Sequence, residues 1–447
     1  MVRSKFKVSM FLLVIGLFFA VIPLGATACR NPQWRLMAGA CALPITPETN
    51  EEGIPINPDN SPVFLAGFGG PGERPAMAVH DDIYARCLIL EYGGTSIVFV
   101  ALDLIGFQID QVDIVRTYVE YEYEIDADNI VIACTHTHSG PDTLGLWTPP
   151  YPLPGVNWPY MEYVRNQIIE CIDQAYQNMQ KAYLRFASAS VPDLMKNSRD
   201  EGRVYPDLEI MKVTGRNGQT IATMINYAGH PEVLWSDNLE ITSDYVGYLC
   251  DKVEEELGGV AIFMNGALGG MITPDVEEHT FAKAQEIGYT LAEATINALG
   301  CRKSYSWGAF FPIWKNTFSV EKQTFEVPLE NEQFYIAMMY GMLYRPEPWY
   351  NPDGGPMGSI ISEVNVITIG RAQIITMPGE VLPSIGYRLR EAMTGKYKFQ
   401  IGLGNDELGY IIPEDEWDIT QYEESMSVGV QTGIVMEAIL MEMLAGS

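Results

Sequence analysis

Three of the five histidines in this chain stand in two short motifs that could hold a metal ion. His136 and His138 are two residues apart in Thr-His-Thr-His-Ser-Gly-Pro, and His230 lies in Asn-Tyr-Ala-Gly-His-Pro. Side chains at positions i and i+2 of an extended backbone point to the same side, so the first motif can present both imidazoles to one point. Because catalytic zinc is typically held by three N or O ligands with one open position, the three histidines are candidates for a metal site. The alternative is that one or both histidines of the pair only satisfy buried polar neighbours.

The predicted strands around these motifs should bring the three histidines together. An apolar run at 130–134 has the length of a buried strand and ends just before the first motif, and a second strand predicted at 220–227 ends shortly before His230. Ligands of α/β proteins usually bind in a cleft at the carboxyl ends of strands. We therefore expect both motifs to face one cleft.

The apolar patterning of the remaining chain predicts a mixed α/β protein. Further strands are predicted at 96–104, 208–213, 260–264, 364–369, 373–377 and 399–403, and helices at 109–123, 160–179, 245–257, 281–299, 382–393 and about 427–444. Segments 47–75 and 147–159 are rich in turn-forming residues, and 301–356 has no clear pattern. No segment has the composition of a linker, so we expect a single large mixed α/β domain whose central sheet is covered by helices.

The composition describes a strongly acidic globular chain. Among 447 residues, 28 Lys and Arg stand against 57 Asp and Glu, a formal net charge of −29. Binding to nucleic-acid phosphates needs clustered cations, so this balance excludes a nucleic-acid partner. A hydrophobic content of 47% is sufficient for a buried core.

Residues 1–28 have the pattern of a secretory signal peptide. Three cations precede an apolar run at 8–24, and the small residues at 26–28 form a cleavage site. Cys29 follows directly, as in a bacterial lipobox, although Ala26 stands where the usual leucine would be. We expect an exported protein, secreted or periplasmic, with lipid anchoring through Cys29 as an alternative to free export.

Four motifs resemble, in the same order along the chain, those of the neutral/alkaline non-lysosomal ceramidases. They are Thr-His-Thr-His-Ser-Gly-Pro at 135–141, Asn-Tyr-x-x-His-Pro around His230, Pro-Gly-Glu ending at Glu380, and Gly-Tyr-Ile-Ile-Pro-Glu-Asp-Glu-Trp at 409–417. The segment Ala-Gly-Ala-Cys-Ala-Leu-Pro-Ile-Thr-Pro at 38–47 also looks like the start of that family. The resemblance runs from about 36 to 440, so we place a ceramidase-like zinc hydrolase domain at 36–447, without the family's C-terminal immunoglobulin-like domain.

The resemblance implies a ligand set and an active site. It implies a zinc ion (Zn2+) held by His136, His230, Glu380 and Tyr410. His138 then becomes the neighbouring active-site imidazole, and Arg199 corresponds to an active-site arginine of the family. Such a zinc centre would activate water and polarise the scissile carbonyl, and His138 is our candidate for the acid/base step at the leaving nitrogen. Without the resemblance, Glu380 and Tyr410 would be ordinary residues, since a carboxylate at a helix start is stabilised by the helix dipole.

One segment departs from the family pattern. Where the family has Gly-Asp-Val-Ser-Pro, with a serine that contacts the scissile amide, this chain has Gly-Gly-Met-Ile-Thr-Pro at 269–274. Thr273 keeps the hydroxyl and is the third catalytic candidate, but its β-branched side chain is stiffer and can aim that hydroxyl differently.

Three further residues have weaker assignments. Asp103, at the end of the strand predicted at 96–104, could orient a ligand imidazole or be an ordinary strand-end aspartate. His80 is a candidate for the rim of the site, and His279 is expected on a helix surface.

The resemblance implies a zinc-dependent amidohydrolase of sphingolipid metabolism that cleaves a ceramide-like N-acyl amide to a fatty acid and an amine such as sphingosine. The changed segment at 269–274 keeps open a zinc hydrolase that acts on another amide or ester. A third interpretation is a non-catalytic surface protein that binds zinc or lipid. The expected partner is a small lipid or N-acyl amide, with peripheral contact to a membrane surface.

Overall fold

The computed structural model describes residues 35–149, 155–200, 202–300, 317–341, 343–345 and 357–446. The predicted signal peptide and Cys29 lie outside these ranges. The strands are β1 (Met37–Pro44), β2 (Ala78–Val79), β3 (Tyr84–Tyr92), β4 (Thr95–Leu102), β5 (Ile130–Cys134), β6 (Gln180–Ser190), β7 (Met195–Asn197), β8 (Asp207–Gly215), β9 (Thr220–Tyr227), β10 (Glu240–Ile241), β11 (Val260–Asn265), β12 (Ile272–Pro274), β13 (Phe318–Pro328), β14 (Ser359–Ile369), β15 (Ala372–Thr376), β16 (Glu380–Val381), β17 (Tyr397–Ile401) and β18 (Tyr410–Ile411). The α-helices are α1 (Ile109–Tyr123), α2 (Trp158–Gln177), α3 (Tyr245–Leu257), α4 (Phe281–Ala298), α5 (Glu332–Met339), α6 (Pro383–Ala392), α7 (Tyr422–Ser425) and α8 (Val430–Gly446).

Two sheets pack face to face. One has eight strands in the order β11-β9-β8-β6-β1-β3-β4-β5, and the other has four in the order β13-β14-β15-β17. Alternation along β3 shows how the larger sheet is buried on both faces: Cys87 and Ile89 point to one core, whereas Leu88 and Leu90 point to the other. The second core is shared with the smaller sheet, which contributes Phe399 among others.

Helices cover the two outer faces. Helices α1 to α4 lie on the eight-stranded sheet and contribute buried residues such as Val112, Ile168 and Leu249. Helices α5, α6 and α8 cover the four-stranded sheet with residues such as Phe334 and Leu440. The predicted mixed α/β class with a helix-covered sheet is confirmed. The second sheet, which packs against the first, was not predicted from the sequence.

No helix within the described ranges is both long enough and apolar enough to cross a membrane.

A buried asparagine ties the two layers together next to the site. The side chain of Asn405 accepts the backbone N–H of Ile132 in β5 at 2.9 Å and donates to Glu363 and Asn365 in β14 at 3.0 and 2.9 Å. Its backbone is left-handed, with φ of 67°. This cross-tie fixes the loop between β17 and β18 against the strand that leads to His136.

Candidate metal centre and active site

His136 follows β5 and presents one ring nitrogen to the site. Its Nδ1 lies 2.6 Å from the carbonyl oxygen of Ile105. Because a carbonyl only accepts, Nδ1 carries the proton and Nε2 keeps its lone pair. The backbone of His136 is left-handed, with φ of 68°, so the expectation of an extended His-x-His is wrong. The rings of His136 and His138 nevertheless approach to 5.1 Å between centroids, because the chain turns rather than runs straight.

His230 has the same arrangement at the end of β9. Its Nδ1 lies 2.9 Å from the carbonyl oxygen of Ile272, and its Nε2 lies 2.9 Å from Oε2 of Glu380. The other carboxylate oxygen of Glu380 lies 3.5 Å from Nε2 of His136. Two imidazoles therefore turn Nε2 toward the same carboxylate while backbone carbonyls fix their Nδ1 atoms. Imidazoles that bind metals are oriented by a hydrogen bond of this kind on the other ring nitrogen.

Glu380 and Tyr410 stand opposite each other in a short parallel ladder between β16 and β18. Burial raises the pKa of the Glu380 carboxyl, but the imidazoles of His136 and His230 and the Tyr410 hydroxyl outweigh burial and lower it. Burial and the charge of Glu380 hold the pKa of Tyr410 well above its usual value. The Tyr410 hydroxyl also lies 2.9 Å from the sulfur of Met271. The four residues of the predicted ligand set thus lie around one point.

The two imidazoles differ in their protonation. Burial lowers the pKa of His136 to about 3, and His230 and His138 add to that shift. For His230, burial also favours the neutral form, but Glu232 and Glu380 outweigh it and raise the pKa to about 9. His136 is therefore ready to bind a cation, whereas a cation at His230 must displace a proton.

His138 faces a buried carboxylate that was not among the residues predicted from the sequence. Its Nδ1 lies 3.1 Å from Oε2 of Glu232, and neither side chain has appreciable exposure. Burial opposes ionisation of Glu232, but His138 and His230 prevail and lower its pKa to about 2. The only signal in the sequence was an acidic residue two positions after His230.

The donor atoms of this site fit a metal ion. His136, His138 and His230 each offer a ring nitrogen, and these nitrogens lie within 4.8 Å of one another. The contact between His138 and Glu232 is close but not aligned as a hydrogen bond, and both ring nitrogens of His138 and both carboxylate oxygens of Glu232 lack an aligned partner among the described residues. Buried polar atoms without partners are rare in folded proteins and mark a place where an ion, water or substrate is taken up.

The other two predicted catalytic residues have different surroundings. Thr273 is buried in β12, and its hydroxyl lies beside Glu232, where it helps to lower the pKa of that carboxyl. Arg199 donates to Glu423 at 3.0 Å, to Glu424 at 2.7 and 2.9 Å, and to the carbonyl of Glu416 at 2.7 Å. Its guanidinium thus binds the segment that follows Tyr410.

A cavity of about 650 Å³ opens beside the histidines. Its wall includes His136, His138, Glu380 and Tyr410 together with a large apolar surface from Phe68, Leu146, Trp147, Phe334, Met338, Ile360, Met426 and Val428. A few polar groups on an apolar concave wall are typical of a small-molecule site.

The weaker candidates lie outside the histidine group. Oδ2 of Asp103 accepts the backbone N–H of Tyr84 at 2.9 Å, the contact of an ordinary strand-end aspartate. The ring of His80 stacks on Phe281 at 3.6 Å. His279 is exposed, as expected, but it precedes helix α4 rather than lying on it, and its Nδ1 lies 2.8 Å from the carbonyl of Val233 while its ring stacks on Trp235.

Comparisons with known proteins point to one family. The sequence profile of the neutral/alkaline non-lysosomal ceramidase N-terminal region matches residues 60–270, which include the three histidines but not Glu380 or Tyr410. A neutral ceramidase of Pseudomonas aeruginosa is 22% identical over 287 residues, 55% of this chain and 42% of that protein, so the match spans less than half the length of that relative.

Solved structures extend the likeness to nearly the whole chain. The crystal structure of neutral ceramidase from Pseudomonas aeruginosa superposes with a TM-score of 0.73 at 17% identity, over 92% of this chain and 74% of that one. A ceramidase complexed with C2 gives the same TM-score and identity over 92% and 75%. These values establish the shared fold, and the predicted resemblance of this chain to the neutral/alkaline non-lysosomal ceramidase family is confirmed.

Proposed function

We propose that this protein is a zinc-dependent amidohydrolase that cleaves a ceramide-like N-acyl amide to a fatty acid and an amine. One observation carries the proposal. Two imidazoles whose Nδ1 atoms are tied to backbone carbonyls turn their Nε2 atoms to one carboxylate in the wall of an apolar cavity. This combination suits a metal-dependent attack on a polar bond within an apolar substrate.

The ligand set that we propose is His136, His230, Glu380 and Tyr410. The contacts of Nδ1 of His136 and of His230 with backbone carbonyls support this ligand set, because they leave Nε2 as the only nitrogen of each ring that can bind a metal ion. His138 has a carboxylate rather than a carbonyl at Nδ1. We therefore assign His138 to proton transfer, and the alternative is a set of three imidazoles.

When bound, zinc would polarise the scissile carbonyl and lower the pKa of a water molecule. The side chains of the protein would bind the substrate, exclude water and supply the proton. The apolar wall would hold the acyl chain and exclude bulk water, and His138 would donate a proton to the amide nitrogen as the C–N bond breaks. The carboxylate of Glu232, 3.1 Å from Nδ1 of His138, would hold the ring in place for that transfer.

Two residues receive supporting roles in this proposal. Thr273 would act through Glu232, beside which its hydroxyl lies. Arg199 would position the loop that carries Tyr410, since its guanidinium is committed to Glu423, Glu424 and the carbonyl of Glu416. Arg199 is then a positioning residue rather than a group that contacts substrate.

A lipid amide is the substrate class that the cavity and the relatives favour. The related Pseudomonas aeruginosa protein is named neutral ceramidase, and a ceramidase structure of the same fold holds C2. Helix α5 lines the cavity with Phe334 and Met338 and exposes Ile336 and Met339 on its other side. That exposed apolar side supports peripheral contact with a lipid surface, and the signal-like residues 1–28 support export.

Metal analysis combined with a fluorogenic N-acyl assay tests the proposal. We expect about one zinc per chain and turnover of an N-acyl sphingoid probe that a chelator abolishes and zinc restores. Turnover of other amides or esters without the sphingoid probe would favour the alternative zinc hydrolase. Zinc binding without hydrolysis of any amide or ester would contradict both hydrolase interpretations and support a non-catalytic binding protein.

A further inference from the structure

Two buried cysteines lie where helix α2 packs on strand β1. Cys41 belongs to β1 and Cys171 to α2, and both are part of the core between the helices and the eight-stranded sheet. Both are free thiols in this structure. The thiol of Cys41 donates to Oε1 of Gln174 at 3.4 Å, and Gln174 lies one helical turn after Cys171. The side chain of Cys41 therefore points toward the part of the helix that carries Cys171.

Helix α2 runs antiparallel to β1, and this alignment places the two cysteines opposite each other. A Cβ atom on Gly39 would lie only 1.9 Å from the carbonyl oxygen of Ala175, so the missing side chain lets helix and strand meet there. Further along, Nε2 of Gln167 donates to the last carbonyl of β1 at 2.8 Å. Cys41 and Cys171 lie between these two contacts. The spacing agrees, because two strand residues span about 6.6 Å and four helical residues about 6 Å.

The two thiols interact directly and differ in their exposure. A hydrogen bond between them lowers the pKa of Cys41, where it outweighs burial, and raises the pKa of Cys171, where burial adds to it. Cys41 keeps 8% exposure, whereas Cys171 has none. Because the thiolate is the form that attacks a disulfide, Cys41 is the thiol that an oxidant meets first.

A third cysteine defines the alternative pairing. Cys87 lies opposite Cys41 on the neighbouring strand β3 and is fully buried. The hydrogen bond of the Cys41 thiol is to Cys171, whereas Cys41 influences Cys87 through its charge. The contacts thus favour Cys171 as the partner of Cys41, and a bond to Cys87 is an outcome that the experiment has to distinguish.

We propose that Cys41 and Cys171 form a disulfide bond that stabilises the exported protein. The oxidant is the disulfide of a thiol oxidoreductase or of glutathione. The Cys41 thiolate attacks one sulfur of that disulfide and releases a thiolate, and the Cys171 thiolate then attacks the sulfur of Cys41 and displaces the second one. Two protein thiols are oxidised to one disulfide, and the oxidant takes up their two electrons and two protons to become two thiols.

The bond would act on the stability of the fold rather than on the chemistry of the site. It would close the loop of residues 41–171, which contains the first histidine motif, and closing a long loop restricts the unfolded chain strongly. The inference rests on the proposed export, since disulfides persist in oxidising compartments, and not on the proposed hydrolysis.

Peptide mapping without reduction tests the pairing. Arg86 separates Cys41 from Cys87, and Arg116 separates Cys87 from Cys171, so trypsin places each cysteine in its own peptide. The full chain is exported by a bacterial host, alkylated with iodoacetamide in denaturant, digested and analysed by mass spectrometry. We expect the peptides of Cys41 and Cys171 to be linked until they are reduced, with Cys87 alkylated.

Two results would overturn the proposal. They are alkylation of both Cys41 and Cys171 in the exported chain, and a link between Cys41 and Cys87. If the host retains the chain in its cytoplasm, the purified protein is incubated with oxidised glutathione and mapped in the same way, and the same outcomes decide. Hydrolysis is not measured, so failure of the proposed function leaves this test intact.

Melting temperatures measure the contribution of the bond. Once mapping shows that tris(2-carboxyethyl)phosphine has reduced it, we expect the melting temperature of the zinc-saturated protein to fall by roughly 5 °C. Cys171→Ala should abolish this response to the reductant. Cys250→Ala, which removes another buried thiol, is the matched control and should keep the response. Equal melting temperatures of the oxidised and reduced protein, or a response that persists in Cys171→Ala, would refute the stabilising bond.

Discussion

The Nδ1 atom of His138 lies 3.1 Å from Oε2 of Glu232, and both side chains are shielded from solvent. Only one orientation of the imidazole ring places Nδ1 at this carboxylate, and it turns Nε2 to the opposite side of the ring. His138 also lines the cavity. The pair therefore places an imidazole of the cavity wall against a buried carboxylate.

Replacing Glu232 should lower turnover without removing the metal. We expect Glu232→Leu to reduce kcat by roughly 10–100-fold, as is usual when the group that orients an active-site imidazole is lost, with little change in KM. The kcat of Glu232→Gln should lie between that of the unaltered protein and that of Glu232→Leu, because glutamine keeps a hydrogen-bond acceptor but not the charge. Glu255→Gln on the exposed side of α3 is the matched control. Zinc analysis completes the test, since loss of zinc in Glu232→Gln would mean that Glu232 is itself a ligand.

Single alanine substitutions should divide the three histidines into two classes. His136→Ala and His230→Ala should lose zinc and activity together, because each removes an Nε2 donor. His138→Ala should keep near-stoichiometric zinc and lose activity by roughly 10²–10⁴-fold, the usual contribution of general acid catalysis. His279→Ala is the control for the loss of an imidazole outside the site. Zinc loss in His138→Ala would establish the set of three imidazoles, and full zinc with full activity in His136→Ala would refute our ligand assignment.

Removal of the metal should weaken the protein without unfolding it. The two cores consist of apolar residues that do not depend on the ion. Since zinc binds the folded chain in preference to the unfolded one, free zinc at 1,000 times Kd should stabilise it by about 4 kcal/mol. We expect a chelator to lower the melting temperature while far-ultraviolet circular dichroism at 25 °C stays unchanged. Loss of the helical signal on chelation at that temperature would contradict a preformed site.

Arg199 should matter for stability more than for chemistry. Arg199→Ala leaves the carboxylates of Glu423 and Glu424 buried without a cation, which should cost about 3 kcal/mol in the free energy of unfolding. Arg203→Ala is the control, because Arg203 is half exposed and its ion pairs should be worth less than about 1 kcal/mol. Denaturant unfolding measures both. An Arg199→Ala protein of normal stability whose kcat alone collapses would instead identify Arg199 as catalytic.

Asp103 should make the stability of the fold depend on pH. Burial, opposed mainly by Arg86, raises the pKa of Asp103 from 3.8 to about 6. The folded chain therefore binds this proton more tightly than the unfolded chain, and the resulting stability is present below pH 4 and is lost as the pH rises through 6. The contribution of Asp103 to the free energy of unfolding that is lost over this range is about 3 kcal/mol. Asp103→Asn, which keeps an acceptor for Tyr84, should reduce the dependence of the free energy of unfolding on pH in unfolding experiments between pH 4 and 8.

The zinc content of the same variant tests whether Asp103 acts on the metal centre. Unchanged zinc content would separate Asp103 from the centre, whereas loss of zinc would support a role for Asp103 in orienting a ligand imidazole.

Local patterns predicted the elements with strong periodicity. The helix expected at 245–257 and the strand expected at 220–227 have the bounds that the structure gives. By contrast, β1 and β6 were not predicted. They pair with each other through residues far apart in sequence, such as Met37 and Lys181, and local patterns do not show such pairing. The packing of one sheet on the other is equally non-local.

The candidate site was predictable in its motifs but not in its contacts. The four proposed ligands follow from the resemblance, and the structure gathers them around one point. Glu232 had no distinguishing signal, since a glutamate after His-Pro gains meaning only when His138 approaches it through tertiary packing. The left-handed turn at His136 likewise depends on hydrogen bonds to the loop after β4.

The proposed ligands come from separate parts of the fold. His230 and Glu380 are 150 residues apart in sequence, so an ion that gathered them from a disordered chain would have to close a very long loop. Here the two sheets and the Asn405 cross-tie have already closed that loop. Under the proposed ligand set, metal acquisition would then be the last and most local step of maturation, because the folded chain already holds the ligands close together.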